Sequence, residues 1–170
     1  MNVINTKKLP KEMLNNFFTT HWGSPQMVIS SGVYNCSELD GFAILNTEDQ
    51  IIGLITYVIC NNECEIISLD SLEEGKGIGT ILVQEVERAA HHHKCRRVTL
   101  VTTNDNLLAL RFYQKRGFHL VKIHRNAVAR AREIKPEIPL TGSDGIPLRD
   151  EIELEKRLES VVFRRRKDAK

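Results

Sequence analysis

Hydrophobic positions along the chain change period as the sequence proceeds, and the changes mark out its elements. After Pro10, Leu14, Phe17 and Phe18 recur at i, i+3 and i+4. That spacing predicts a short amphipathic helix with proline in its first turn, ending near Trp22-Gly23. Strand-like runs follow at Met27 to Val33, Leu39 to Leu45 and Ile51 to Ile59. The last is apolar on both faces, as a central strand should be. The turn at Asn61-Asn62 leads into Glu65 to Leu69, which suggests an antiparallel meander. The helical period then returns. Ile78, Leu82, Val86 and Ala89 mark one face of a helix from about Gly77 to His93. Val98 to Thr102 reads as a β-branched strand. Leu108 and Phe112 mark the buried face of a second helix, stopped by Gly117. Phe118 to Ile123 is another strand. This alternation implies a crossover unit with locally parallel pairing. Asn126 to Ile134 has room for a turn or two of helix. Lys135 to Leu148 carries Pro136, Pro139, Gly142, Gly145 and Pro147 and reads as a loop before a last strand from about Asp150. The expected fold class is α+β, with a mixed, mostly antiparallel sheet flanked by helices.

Composition narrows the function classes more than it names one. The chain has 170 residues, a length that suits a single domain over 1–170. Its 41% hydrophobic and 27% charged residues are ordinary for a globular protein. A formal charge of +2 gives no argument for nucleic acid or membrane partners. The basic run Phe163 to Lys170 lacks interleaved aromatic residues and reads as a frayed, solvated tail. No apolar run approaches the roughly 18–20 residues that span a bilayer. The polar stretch Met1 to Leu14 does not look like a signal segment, so a cytoplasmic location is expected. Cys36, Cys60, Cys64 and Cys95 do not have the spacing of a disulfide framework and are expected to be reduced. Cys60 and Cys64 flank a turn, and His91-His92-His93 sit at a helix end where neighbours point apart, so no metal site is expected.

Candidate chemistry starts at Gly75-Lys76-Gly77-Ile78-Gly79-Thr80, where a strand end meets a helix start. Glycines there permit positive φ and close approach of a ligand to backbone. The helix N-terminus offers unpaired N–H groups and the positive end of its dipole, an arrangement suited to a pyrophosphate. Lys76 adds charge nearby. Two familiar phosphate loops do not fit: no lysine follows the last glycine as in a Walker A loop, and the spacing is G-x-G-x-G, not the dinucleotide G-x-G-x-x-G. A second constellation follows the next strand. Asn106, Ala109 or Leu110, and Tyr113 fall on one helical face, presenting an amide, a small or apolar surface and a phenol.

With both constellations in hand, the sequence resembles the GNAT N-acetyltransferases. The family pattern Q/R-x-x-G-x-G/A is matched by Glu74-Gly75-Lys76-Gly77-Ile78-Gly79 except at its first position. The pattern N-x-x-A-x-x-x-Y-x-x-x-G-F is matched by Asn106, Ala109, Tyr113, Gly117 and Phe118. The resemblance is firm from about Ile51 to Ile123. It implies a splayed sheet holding acetyl-CoA, or a close acyl-CoA, as co-substrate. Pantetheine would pair with backbone near Leu69 and contact Asn106, and Gly75, Lys76, Gly77, Ile78, Gly79 and Thr80 would hold the pyrophosphate. Glu74 stands where the family has Gln or Arg. Its N–H remains able to donate, with Lys76 as compensation.

The implied reaction is direct acyl transfer to an amine in a ternary complex, with neither a cysteine nucleophile nor a metal. Tyr113, near the sulfur, is the expected general acid. Glu65 is the best-placed general base, with Ser68, Asp70 and a water chain as weaker choices. The Pro/Gly-rich segment suits a lid over the acceptor site, and Arg132, Lys135, Arg149 and Glu151, in or beside it, are candidate acceptor contacts. The tail resembles that of a bacterial GNAT subgroup without a general assigned substrate. The expected state is a monomer or homodimer. An acyl-CoA-binding regulatory module of the same fold, without turnover, is the alternative that Glu74 leaves open; Asn106 and Tyr113 favour the enzyme.

Overall fold

The computed structural model describes residues 1–159; the basic run from Phe163 lies outside them. A seven-stranded sheet forms the frame. Its strands are β1 (Val3–Asn5), β4 (Asp40–Leu45), β5 (Ile51–Cys60), β6 (Glu63–Ser71), β7 (Arg97–Thr103), β8 (His119–His124) and β9 (Glu151–Arg157), in the order β1-β4-β5-β6-β7-β9-β8. Strands β2 (Gln26–Ile29) and β3 (Gly32–Asn35) make a separate hairpin. The run Met27 to Val33, expected as one strand, is therefore broken by the turn at Ser30-Ser31. The helices are α1 (Lys11–Trp22), α2 (Ile78–His92), α3 (Leu107–Lys115) and α4 (Ala127–Ile134).

Strand alternation divides the core in two. Ile44, Ile55, Ile66, Val98 and Leu100 face α2 and α3, packing on Leu82, Val86, Tyr113 and Phe118. Ala43, Leu54 and Ile67 face α1 and its Leu14, Phe17 and Phe18. The predicted periods of α1 and α2 thus hold. α3 departs from expectation. Leu108 is 75% exposed, whereas Tyr113 is buried at 6%. Leu108 rims an open cavity, and Tyr113 with Ala109 and Leu110 faces the sheet.

Parallel pairing is confined to β6 and β7 and ends at Ile66↔Leu100. β8 does not lie beside β7. β9 inserts between them, antiparallel to both, because the chain after α4 returns through the middle of that half of the sheet. Beyond Ile66 and Leu100 the neighbours part: β6 continues to Ser71 against β5, and β7 continues to Thr103 against β9. The parting coincides with a bulge. Thr56 pairs with Ser68 and Tyr57 with Ile66, leaving Ile67 as an extra residue on β6. A bulge bends its strand and increases local twist. The buried hydroxyls of Thr56 and Ser68, 2.6 Å apart, tie β5 to β6 beside it.

Helix α2 lies close on β5 because residue 53 is glycine. A Cβ there would collide with the Ile78 side chain and come within 3.1 Å of Leu82 Cδ1. Gly53→Ala should therefore lower unfolding free energy by about 1–3 kcal/mol, as overpacking of a filled core does. Urea denaturation measures it, and an unchanged midpoint would show that α2 is free to shift away.

Candidate active site

The parted strands open a cavity of about 670 Å³ whose wall is built from three elements. The first is the end of β6, where Ile67, Ser68, Leu69 and Ser71 line the opening and the edge towards β7 has no strand partner. The second is the glycine loop. Gly75 and Gly77 have φ of 74° and 72°, left-handed values that glycine adopts without strain. Gly77 is the N-cap of α2 and has no side chain to bond the first N–H groups of the helix, which therefore remain available. Gly79 lets α3 approach: a Cβ there would lie 3.0 Å from Phe112 Cζ. The third element is α3, contributing Asn106, Ala109, Phe112 and Tyr113.

The expected cofactor residues fall on this cavity, with one difference. Leu69, Gly75, Gly77, Ile78, Gly79, Thr80 and Asn106 all line it. Lys76 instead pairs with Glu73 at 2.6 Å on an exposed part of the loop. The cation in the wall is Arg116. Its guanidinium donates to Thr80 Oγ1 at 2.9 and 2.6 Å and to the Phe112 carbonyl at 2.8 Å, and it stacks 3.6 Å over the Phe112 ring. Arg116 was missed from sequence because its proximity to Thr80 arises only when α3 packs beside α2. Its place between Tyr113 and Gly117 in the second motif was the available signal. Asn106 caps α3, accepting from the Ala109 N–H at 3.1 Å; its NH₂ group remains a possible donor to the cavity.

Tyr113 is packed edge-on between Phe112 and Phe118, with ring centroids 5.0 and 5.3 Å away. Its hydroxyl makes no hydrogen bond among the described residues. Burial pushes its pKa well up, with the Asp70 charge adding to the effect and Arg116 opposing it. The phenol therefore keeps its proton through the neutral range. Glu65 does not line this cavity. It lies on the other face of the sheet beneath the β2–β3 hairpin and accepts from Ser31 Oγ at 2.9 Å. Burial raises its pKa, and the nearby Glu153 and Glu151 charges add to the rise. Val101 borders both spaces.

A second cavity, of about 370 Å³, continues on that face between the hairpin, α4 and the 135–148 segment. Trp22, Ile67, Val101, Thr102 and Asn106 border both cavities, so the parted strands form a passage between them. Trp22 was not singled out from sequence. Its indole N–H donates to the Asp70 carboxylate at 3.0 and 3.1 Å. Burial raises Asp70 from its ordinary 3.8 to about 6. The Pro/Gly-rich segment is held as a wall: Arg132 donates to the carbonyls of Ile138, Pro139 and Leu148, and Asp105 accepts from the Ser143 N–H. Arg132 is thereby occupied, and Arg149 pairs with Asp150. Lys135 and Glu151 line the cavity.

The model of the acetyltransferase (GNAT) family matches residues 11–118. The chain belongs to the GNAT acetyltransferase family. It is 55% identical over 159 residues to the uncharacterized protein YxbD of Bacillus subtilis (strain 168), covering 94% of this chain and 100% of that one. Solved structures share the fold at lower identity. A B. subtilis acetyltransferase in complex with CoA aligns with a TM-score of 0.66 at 16% identity, over 93% of this chain and 99% of that one. A GNAT family acetyltransferase from Elizabethkingia anophelis with acetyl-CoA bound aligns at 0.60 and 24% identity, over 72% and 78%. Among the described residues no group of His, Cys, Asp or Glu is arranged to hold a metal, and no helix is long and apolar enough to cross a membrane.

The raised Asp70 pKa has a consequence for stability. Between about pH 4 and 6 the unfolded chain has lost the Asp70 proton while the folded chain retains it. The folded state then binds more protons, so this residue lowers stability as pH rises through that window. Asp70→Asn keeps an acceptor for Trp22 and removes the ionisation. Its stability relative to wild type should rise from pH 4 to 6 and stay level above. Urea titrations at each pH test this, and a constant difference would contradict a buried Asp70 carboxyl.

Proposed function

We propose that the protein transfers an acetyl group from acetyl-CoA to a primary amine by direct attack in a ternary complex. One observation carries the reading: the uncapped N-terminus of α2, the unpartnered edge of β6 and the unbonded phenol of Tyr113 all meet in one cavity, which opens through the sheet to a second cavity. An anion at the helix start, an extended arm beside β6 and a thioester near Tyr113 account for all three. Family membership and the CoA and acetyl-CoA complexes of proteins with this fold support the same co-substrate.

The chemistry follows from these positions. The amine arrives through the second cavity and loses a proton. Its lone pair attacks the thioester carbon, and the oxyanion is stabilised by a backbone N–H near Leu69, a donor worth roughly 10²–10³ in rate. The carbon–sulfur bond breaks, the leaving thiolate takes the Tyr113 proton, and the second proton shed by the new amide nitrogen restores the phenol. A phenol kept protonated by burial suits that role. Glu65 takes the amine proton, through water: the space it lines shares Val101 with the passage, and burial raises its pKa. Asp70 is a second reading for the base, favoured by its pKa of about 6 and by its bond to Trp22, which borders both cavities.

CoA release during incubation with acetyl-CoA and an amine panel tests the reaction. Clear stabilisation by acetyl-CoA with no release from any amine would favour a binding module instead. Tyr113→Phe should cut kcat about a hundredfold while leaving acetyl-CoA binding nearly intact. A wild-type rate across pH would remove Tyr113 from the general-acid role. The kcat/KM profile should rise with pH through the raised pKa of the base, because the base must be ionised to accept a proton. Glu65→Gln should abolish that ascending limb. Should the limb survive in Glu65→Gln and vanish in Asp70→Asn, the base is Asp70.

A further inference from the structure

The second cavity contains two buried charges that are not paired with each other. Lys135 is 7% exposed and Glu151 is 2% exposed. The Lys135 ammonium donates to the Gln26 carbonyl at 2.8 Å. The Glu151 carboxylate accepts from the Ser30 N–H at 3.2 and 3.1 Å. These partners bracket β2, four residues apart, a span of about 13 Å in extended chain. Neither charge has an ion-pair partner among the described residues. An ammonium has three protons to donate and a carboxylate about four acceptor sites, so single backbone bonds leave most of each unused. Burial in that state is costly unless another group completes it.

We propose that Lys135 is the specificity residue of an acceptor subsite that recognises a carboxylate on the amine substrate, so that the acceptor is an amino carboxylate. This rests on the acyltransfer reading above. Lys135 is the one cation among the residues lining the cavity; Arg132 and Arg149, the other basic candidates, are held by backbone carbonyls and by Asp150. Trp22, Met27, Ile138 and Pro139 form an apolar part of the wall; the carboxylates of Asp105, Glu137 and Glu151 also line it, and Asp105 is held by the Ser143 N–H. One lysine for the carboxylate, with acidic side chains elsewhere on the wall for the amine, matches a molecule that carries both groups. A phosphate would call for more donors, of the forked arginine kind. The acceptor carboxylate completes Lys135, its apolar body lies along the wall, and its amine reaches the passage at Ile67 and Val101 on the side of Glu151.

The test compares amino acids with their decarboxylated amines: phenylalanine against phenethylamine, leucine against isoamylamine, lysine against cadaverine. The wild type should favour at least one amino carboxylate over its partner by about tenfold or more in kcat/KM, the scale of one charged hydrogen bond. Lys135→Gln retains a donor for the Gln26 carbonyl and removes the charge. It should bring the ratio close to one, while kcat/KM for the decarboxylated amine changes less than about threefold. A wild type that prefers every decarboxylated amine, or a variant that loses both substrates equally, overturns the subsite and makes Lys135 a structural clamp on β2. If amines react but carboxylates give no advantage, the subsite falls and acyl transfer stands. If no amine reacts, acyl transfer falls. The subsite is then read by thermal shift of the CoA-loaded protein with each amino acid, and absence of a Lys135-dependent shift overturns it too. Should Lys135→Gln not fold, Lys135→Arg is expected to keep the preference; losing it while activity on the decarboxylated amines persists would count against the charge.

Discussion

The parting of β6 from β7 is the constraint on which the site depends. Up to Ile66 and Leu100 the strands satisfy each other's backbone. Past that point the strand edges need other partners or solvent, because buried backbone polar groups are costly when unpaired. The extra residue Ile67 bends β6 away while Thr56 and Ser68 keep it bound to β5. The opening is thus anchored on its outer sides by continuing strand pairs, β5–β6 and β7–β9, and that gives it fixed walls. It also joins the two faces of the sheet, with the glycine loop and Tyr113 on one side and the hairpin and α4 on the other.

Electrostatics follow from this division. On the α2 side, charge is arranged for an anion: an uncapped helix start, with Arg116 held on Thr80 and Phe112 beside it. On the opposite face, the carboxylates of Glu65, Glu151 and Glu153 gather near the hairpin, with His124 bonded to Glu153 and Lys135 at the far end of β2. The raised pKa values of Glu65, Asp70 and Tyr113 share burial as their main cause. Titratable groups shifted by desolvation thus stand on the two sides of one opening.

Local patterns were readable where local physics decides. The 3.6-residue period of Leu14, Phe17 and Phe18 gave α1, and Ile78, Leu82 and Val86 gave α2, because one apolar face of each is buried as the period demands. The glycine loop and the Asn106 and Tyr113 positions were readable because each motif is a single strand-to-helix junction. Reading failed where the decision was long-range. Leu108 looked like a core residue, but the open cavity leaves it in solvent. The crossover implied locally parallel pairing, which β6 and β7 show, but not that β9 lies between β7 and β8. That Lys76 pairs with Glu73, and that Arg116 reaches Thr80 from another helix, could not be read locally.

By itself the sequence determined most element types, the glycine-rich start of α2 and the alignment of Asn106 with Tyr113. All of these are set within a few residues by period, by positive φ and by the helix terminus. Tertiary structure alone decided that β9 divides β7 from β8, that Trp22 and Asp70 meet, and that Lys135 and Glu151 are buried at the two ends of β2. Those are contacts between residues 48 to 121 positions apart. No local preference encodes them, because they exist only once the two core layers have packed and excluded water.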